Sequence, residues 1–119
     1  MRNQPKYNLF KNTSYAIDGL KDVLKNETSF KLELLCAFIF IPIIFYIDTS
    51  LTNKLLMFIT FSGVILAEVI NSAIERTVDL VTLDFNPMAK KAKDAGSLIV
   101  FSSISICTIT WSIILYNQF

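Results

Sequence analysis

Apolar positions set the plan of this chain. In the first thirty residues, Phe10, Thr13, Ile17, Leu20 and Leu24 recur at intervals of three and four, and Leu9, Ala16 and Val23 widen the stripe. Lys11, Asp18, Lys21, Asp22 and Lys25 fall on the opposite side. That period predicts an amphipathic helix over about 6–28. In a membrane protein such a helix lies along the interface, apolar side down. The next stretch, "LLCAFIFIPIIFYI" between Glu33 and Asp48, is fourteen residues long. A membrane span needs about 20. Phe30, Leu32 and the stem of Lys31 extend it, because long side chains snorkel, and Pro42 is tolerated inside a membrane helix. The first span is therefore placed at about 30–48. A second apolar run begins at Leu51 and passes into "AEVINSAIERTVD" (Ala67–Asp79), which predicts a helix over about 51–82, longer than a bilayer core requires. Its polar end must emerge into water. Asn86 followed by Pro87 reads as a helix start, with Asn as cap and Pro in the first turn. The last helix is predicted over about 87–117, with Trp111 and Tyr116 near its far end as an interfacial belt. Gly63 reads as a close-packing position.

The expected fold class is an all-α membrane protein, an interfacial helix plus three transmembrane helices, in one membrane domain of 119 residues. Composition agrees. The chain is 53% hydrophobic, high for a soluble domain of this size, and its net charge of +1 gives no global field for nucleic acid. Cys36 and Cys107 fall in apolar runs and read as small hydrophobes. The chain has no histidine, which excludes His-based acid–base catalysis and His-ligated zinc. Arg2, Lys6, Lys11, Lys21, Lys25 and Lys31 precede the first span, and Arg76, Lys90, Lys91 and Lys93 lie between spans two and three. Only Lys54 lies in the loop between spans one and two. The positive-inside rule then puts the N-terminus in the cytoplasm and the C-terminus outside.

The polar residues of the second span carry the candidate chemistry. On a helix, Glu68, Asn71, Glu75 and Asp79 share one side. Glu68 and Glu75 are about 10 Å apart along the axis at 1.5 Å per residue. A carboxylate at mid-span costs at least about 2.5–3.5 kcal/mol, less near the interface, so it ordinarily faces protein or an aqueous cavity. Lys90, Lys93, Asp94 and Ser97 make a matching face on the third span. Those lysines either pair with Glu75 and Asp79 or receive an anion whose metal the acids hold. Glu27 and Glu33 flank the start of the first span at the same depth. The result is a polar cleft, suited to a phosphorylated or Mg²⁺-bound ligand, or else a set of charges that only holds helices together. Neither G-x-G-x-x-G nor G-x-x-x-x-G-K-[ST] can be built from Gly19, Gly63 and Gly96. The non-enzymatic alternative is a small oligomeric channel or assembly protein. The outer halves of spans two and three are almost wholly apolar, which disfavours a pore.

"EVINSAIERTVD" (Glu68–Asp79), "AKKAKDAGS" (Ala89–Ser97) and "NETSFKLE" (Asn26–Glu33) together resemble the prokaryotic diacylglycerol kinase family over nearly the whole chain. The resemblance implies a homotrimeric inner-membrane enzyme that moves the γ-phosphoryl of Mg²⁺-ATP to the hydroxyl of diacylglycerol, or of undecaprenol in related members. It implies Glu68 as general base with Asn71 positioning the reacting groups, and Glu27 and Glu75 as ligands of the Mg²⁺ that bridges the phosphates. Nucleotide contacts are implied for Tyr15, Asp79, Asp84, Phe85, Asn86, Lys93 and Asp94, and proximity to the lipid for Glu33, Ser97 and Trp111. Asn8 stands where close relatives carry a nucleotide-contacting arginine, and Ile17 where a tryptophan is often found. "LDFNPMAKK" resembles the undecaprenol branch, whereas "KDAGS" and "ITWSIIL" resemble the diacylglycerol branch.

Overall fold

The computed structural model describes residues 6–119 as four helices in chain order: α1 Leu9–Asn26, α2 Thr28–Tyr46, α3 Leu51–Val81 and α4 Pro87–Gln118. Arg2, one of the cations used for topology, lies outside the described residues. Each start has a local cause. Asn8 caps α1, its Oδ1 accepting from Lys11 N at 3.1 Å. Ser50 caps α3, accepting from Asn53 N at 3.2 Å. Asn86 caps α4, accepting from Met88 N and Ala89 N at 2.9 and 3.2 Å, and Pro87 follows where its missing N–H costs nothing. Glu27 alone separates α1 from α2. Its backbone is extended, with φ −112 and ψ 107, so the chain turns a corner on one residue. Its side chain makes no capping bond.

α2, α3 and α4 are all long and apolar enough to cross a membrane. At 1.5 Å per residue α2 spans about 28 Å, close to a hydrocarbon core, while α3 and α4 run to about 46–48 Å. The excess length of α3 and α4 carries the charged turns on both sides of the 82–86 loop. At the opposite end, Lys54 Nζ donates to the Phe45 carbonyl at 2.9 Å. Lys54, which the sequence reading put in the loop, stands in the first turn of α3 and satisfies a carbonyl in the last turn of α2, where positive charge is favoured.

α3 packs chiefly on α4 and secondarily on α2, and α1 packs on α2. The buried residues of α2 are Phe30, Ala37 and Ile44, a seven-residue repeat along one edge. α3 buries Met57, Ala67 and Ser72, and α4 buries Gly96 and Ile114. Small residues at these contacts let the backbones approach, as membrane helices require. Toward the 47–50 end, Ile44, Met57 and Ile114 form a cluster with Ile47, Trp111 and Leu115 against it. Phe40, Phe61 and Trp111 meet there with ring centroids 5.8–6.1 Å apart, and Trp111 Nε1 donates to the Met57 carbonyl at 3.1 Å. Within one chain Gly63 is not the close-packing position expected from sequence: a Cβ there would meet nothing within 4 Å. The tight glycine is Gly96.

Most of the remaining apolar surface is exposed, including Leu35, Phe38, Phe101 and Ile109. The stripe of α1 is exposed as well, through Leu9, Phe10, Ile17 and Leu20. So much contiguous apolar surface requires lipid or another protein against it.

Candidate functional site

α3 is the spine of the site. Its polar residues descend from the apolar stretch toward the 82–86 loop, and each meets a different neighbour. Glu68 is half-buried and faces Glu33 of α2, with the two carboxyl groups in direct interaction range. Glu33 lies three residues after Phe30 and four before Ala37, so it shares the edge that α2 turns toward α3. One oxygen of Glu33, Oε2, is buried without a hydrogen-bond partner. Asn71 follows one turn on. Its Nδ2 donates to Glu75 Oε1 at 3.2 Å, while its Oδ1 is buried and unpartnered. Two buried polar oxygens left unsatisfied, one on α2 and one on α3, are costly unless a donor arrives. An incoming hydroxyl is such a donor.

Gly96 makes the place for Asn71. A Cβ on Gly96 would overlap Asn71 Oδ1 and stand 3.3 Å from its Cγ and 3.5 Å from Ile74 Cδ1. Glycine is needed here for space between α3 and α4, with no unusual backbone angle.

Beyond Glu75 the site becomes charged. Lys93 Nζ donates to Asp79 Oδ1 at 2.7 Å, joining α4 to α3 across the loop. Lys90 Nζ pairs with Asp94 Oδ2 at 2.6 Å along α4. Of the two arrangements open from sequence, the lysines here pair with acids, and Lys93 chooses Asp79 rather than Glu75. Beside them runs an open groove of about 420 Å³, whose walls include Asp84, Phe85, Asn86, Lys90, Lys93 and Asp94. The loop thus brings five of the expected nucleotide contacts to one surface. Its shape is held by Asp84 N, which donates to Thr82 Oγ1 at 3.1 Å, and by the Asn86 cap.

Glu27 is reached from α3 by Arg76. Arg76 Nη2 donates to Glu27 Oε1 at 3.0 Å, and Nη1 pairs closely with Asp22 Oδ2. The Arg76 guanidinium, helped by a hydrogen bond from Asn26, holds the Asp22 carboxyl below the usual carboxylate range. Glu27 is therefore placed next to the residue that follows Glu75. Among the described residues no group of three or more Asp, Glu, Cys or His converges in a way that would enclose a metal.

Three of the expected residues make none of these contacts. Tyr15 is exposed on α1. Ser97 is exposed on α4. Trp111 packs at the level of Met57, eleven residues from Glu68 along α3, which is about 16 Å. Asn8 serves as a helix cap. Sequence reasoning passed over three contributors: Gly96, Arg76 and Asp22. In the sequence Arg76 reads only as a topological charge. Its partners are 49 and 54 residues away, and no local spacing signals them.

Comparison with known proteins identifies the family. The family model described as prokaryotic diacylglycerol kinase matches residues 14–115. A diacylglycerol kinase of Pseudomonas aeruginosa is 36% identical over 103 residues, covering 87% of this chain and 84% of that protein. One from Haemophilus influenzae is 36% identical over 108 residues, covering 91% and 92%. An undecaprenol kinase of Bacillus subtilis is 34% identical over 98 residues, covering 81% and 80%. The chain belongs to the prokaryotic diacylglycerol kinase family of lipid kinases.

Proposed function

We propose that this protein phosphorylates diacylglycerol to phosphatidic acid with Mg²⁺-ATP at the cytoplasmic face of the bacterial inner membrane, working as a homotrimer. The observation that carries the reading is the layout of α3. Glu68 lies in the apolar stretch beside Glu33, and Glu75 lies two turns closer to the groove bearing Lys93 and Asp94. A lipid hydroxyl comes from the membrane side and a nucleotide from the water side. Phosphoryl transfer needs chiefly in-line positioning and charge neutralisation. Glu68 accepts the hydroxyl proton as the oxygen attacks the γ-phosphorus and ADP leaves. Asn71 keeps Glu75 oriented through its Nδ2 and so helps position the reacting groups. Lys93 and Asn86 line the phosphate path, with Tyr15, Phe85 and Asp94 contributing to the nucleotide's seat.

Glu27 and Glu75 would hold the divalent ion. What supports them is their chemistry and their approach through neighbouring residues of α3: Glu27 meets Arg76, which follows Glu75, and Mg²⁺ prefers one or two carboxylates plus substrate phosphates over an all-protein cage. When bound, the ion spreads the charge of the β- and γ-phosphates. Trimerisation is supported by the exposed apolar surface of a single chain, and a cytoplasmic N-terminus by the clustering of Lys and Arg.

A second acceptor, undecaprenol, is favoured by the loop "LDFNPMAKK" and by the match to the Bacillus subtilis protein. The test is direct. Purified protein in mixed micelles, given labelled ATP and Mg²⁺, is offered each lipid separately. Labelled phosphatidic acid is the expected product. Labelling of undecaprenol alone would reassign the acceptor, and labelling of neither by folded protein would end the kinase reading.

A further inference from the structure

We propose that Arg76 is a positioning residue, which holds the Glu27 carboxylate toward α3 and away from the first turn of α2. The proposal rests on the reading of Glu27 as a metal ligand. Glu27 occupies the N-cap position of α2, at the one-residue corner between two helices. A carboxylate there is ordinarily drawn to the free N–H groups of the first turn and to the positive end of the helix dipole. In this structure it makes no such bond. It instead accepts from Arg76 Nη2 at 3.0 Å.

Arg76 is itself anchored. Its other prong is on Asp22 Oδ2, and Asn26 Nδ2 donates to Asp22 Oδ1 at 2.7 Å. The chain of contacts runs Asn26, Asp22, Arg76, Glu27. α1 packs chiefly on α2, and the Arg76 side chain joins Asp22 of α1 and the Glu27 corner to α3. The planar fork of Arg suits two carboxylates at once, which a lysine cannot match. With Oε1 fixed by Arg76, Oε2 of Glu27 remains for an incoming cation. Outer partners that orient a ligating carboxylate are worth about 10–100-fold in metal affinity when removed.

The test needs no turnover. Mn²⁺, standing in for Mg²⁺, is titrated by electron paramagnetic resonance into the detergent-solubilised full chain with an ATP analogue whose β–γ bridge cannot be cleaved. R76Q is expected to weaken Mn²⁺–nucleotide binding about 10–100-fold, with helix content and elution volume unchanged. R76K recovers part of the loss and serves if R76Q does not fold. E27Q alone matches R76Q, and adding R76Q to E27Q costs nothing more, because Arg76 acts through Glu27. R76Q binding within twofold of the unsubstituted protein, or full additivity in the double variant, overturns the proposal. Additivity would mean that Arg76 touches the phosphates itself. Absence of saturable binding by the unsubstituted protein would remove the metal site as a whole, whereas an unchanged R76Q removes only the role of Arg76.

Discussion

Gly96→Ala separates the packing of this protein from its chemistry. The added methyl would overlap Asn71 Oδ1 and lie 3.3 Å from Asn71 Cγ and 3.5 Å from Ile74 Cδ1. Alanine gains about 1 kcal/mol of helix propensity over glycine. Overpacking costs about 1–3 kcal/mol. The Asn71–Glu75 hydrogen bond, at 3.2 Å, is lost when Asn71 swings away, and such bonds in membrane bundles average about 0.6 kcal/mol. The balance is a destabilisation of between about 0.5 and 2.5 kcal/mol, which a folded protein tolerates. Activity should suffer more. The Asn71 amide has to move by roughly 1 Å to regain ordinary contact with a methyl, and displacements of that size cost about a hundredfold in rate. The assay is lipid phosphorylation in mixed micelles, read beside thermal unfolding in the same detergent. Asn71→Ala supplies the second half. It removes the amide that the methyl strikes, so Gly96→Ala added to it should cost little further activity. If Gly96→Ala keeps activity within a few-fold of the parent while remaining folded, the Gly96–Asn71 contact does not position the reacting groups.

Other expectations are briefer. Glu68→Gln should abolish turnover and leave nucleotide binding nearly unchanged; equal loss of both would argue against a base. Glu75→Gln should raise the Mg²⁺ concentration needed for half-maximal rate, and an unaltered Mg²⁺ dependence would take Glu75 out of the metal site. Trp111→Phe deletes the bond to the Met57 carbonyl and should cost about 0.6 kcal/mol of stability with little effect on rate; a large fall in rate would place Trp111 in contact with lipid substrate after all. The Asp22–Arg76 lock should be insensitive to pH near neutrality. The Asp22 carboxyl is held low in the folded state by Arg76, so its contribution is complete above the unfolded value of about 3.9 and is lost as pH falls through the lower folded value. Spin labels on α1 and α3 should report a constant distance from pH 8 to about 5, and separation already at pH 6 would refute the lock as described.

Much of this molecule is written in the order of its residues. The four helices follow from the three-to-four spacing of α1, from apolar runs long enough to span, and from Ser50, Asn86 and Pro87 at helix starts. The polar ladder Glu68, Asn71, Glu75, Asp79 is legible because helical periodicity alone puts those residues on one side. The division of the chain into apolar spans and charged ends is equally local, since it depends only on what each segment can leave exposed to lipid.

Partnership is another matter. α2 is apolar around its whole circumference, so periodicity does not tell which edge faces α3. Packing of Phe30, Ala37 and Ile44 decides it, and with it the meeting of Glu33 and Glu68. Sequence brought four glutamates toward the inner interface; the fold hands Glu27 to Arg76, Glu33 to Glu68 and Glu75 to Asn71. The same holds for the glycines. Gly63 and Gly96 look alike in a string of letters, and only the approach of α4 to Asn71 shows which of them has no room for a methyl. Local order settles which residues can share a helix face. Which face meets which neighbour depends on contacts between segments tens of residues apart, and these exist only once the helices have packed.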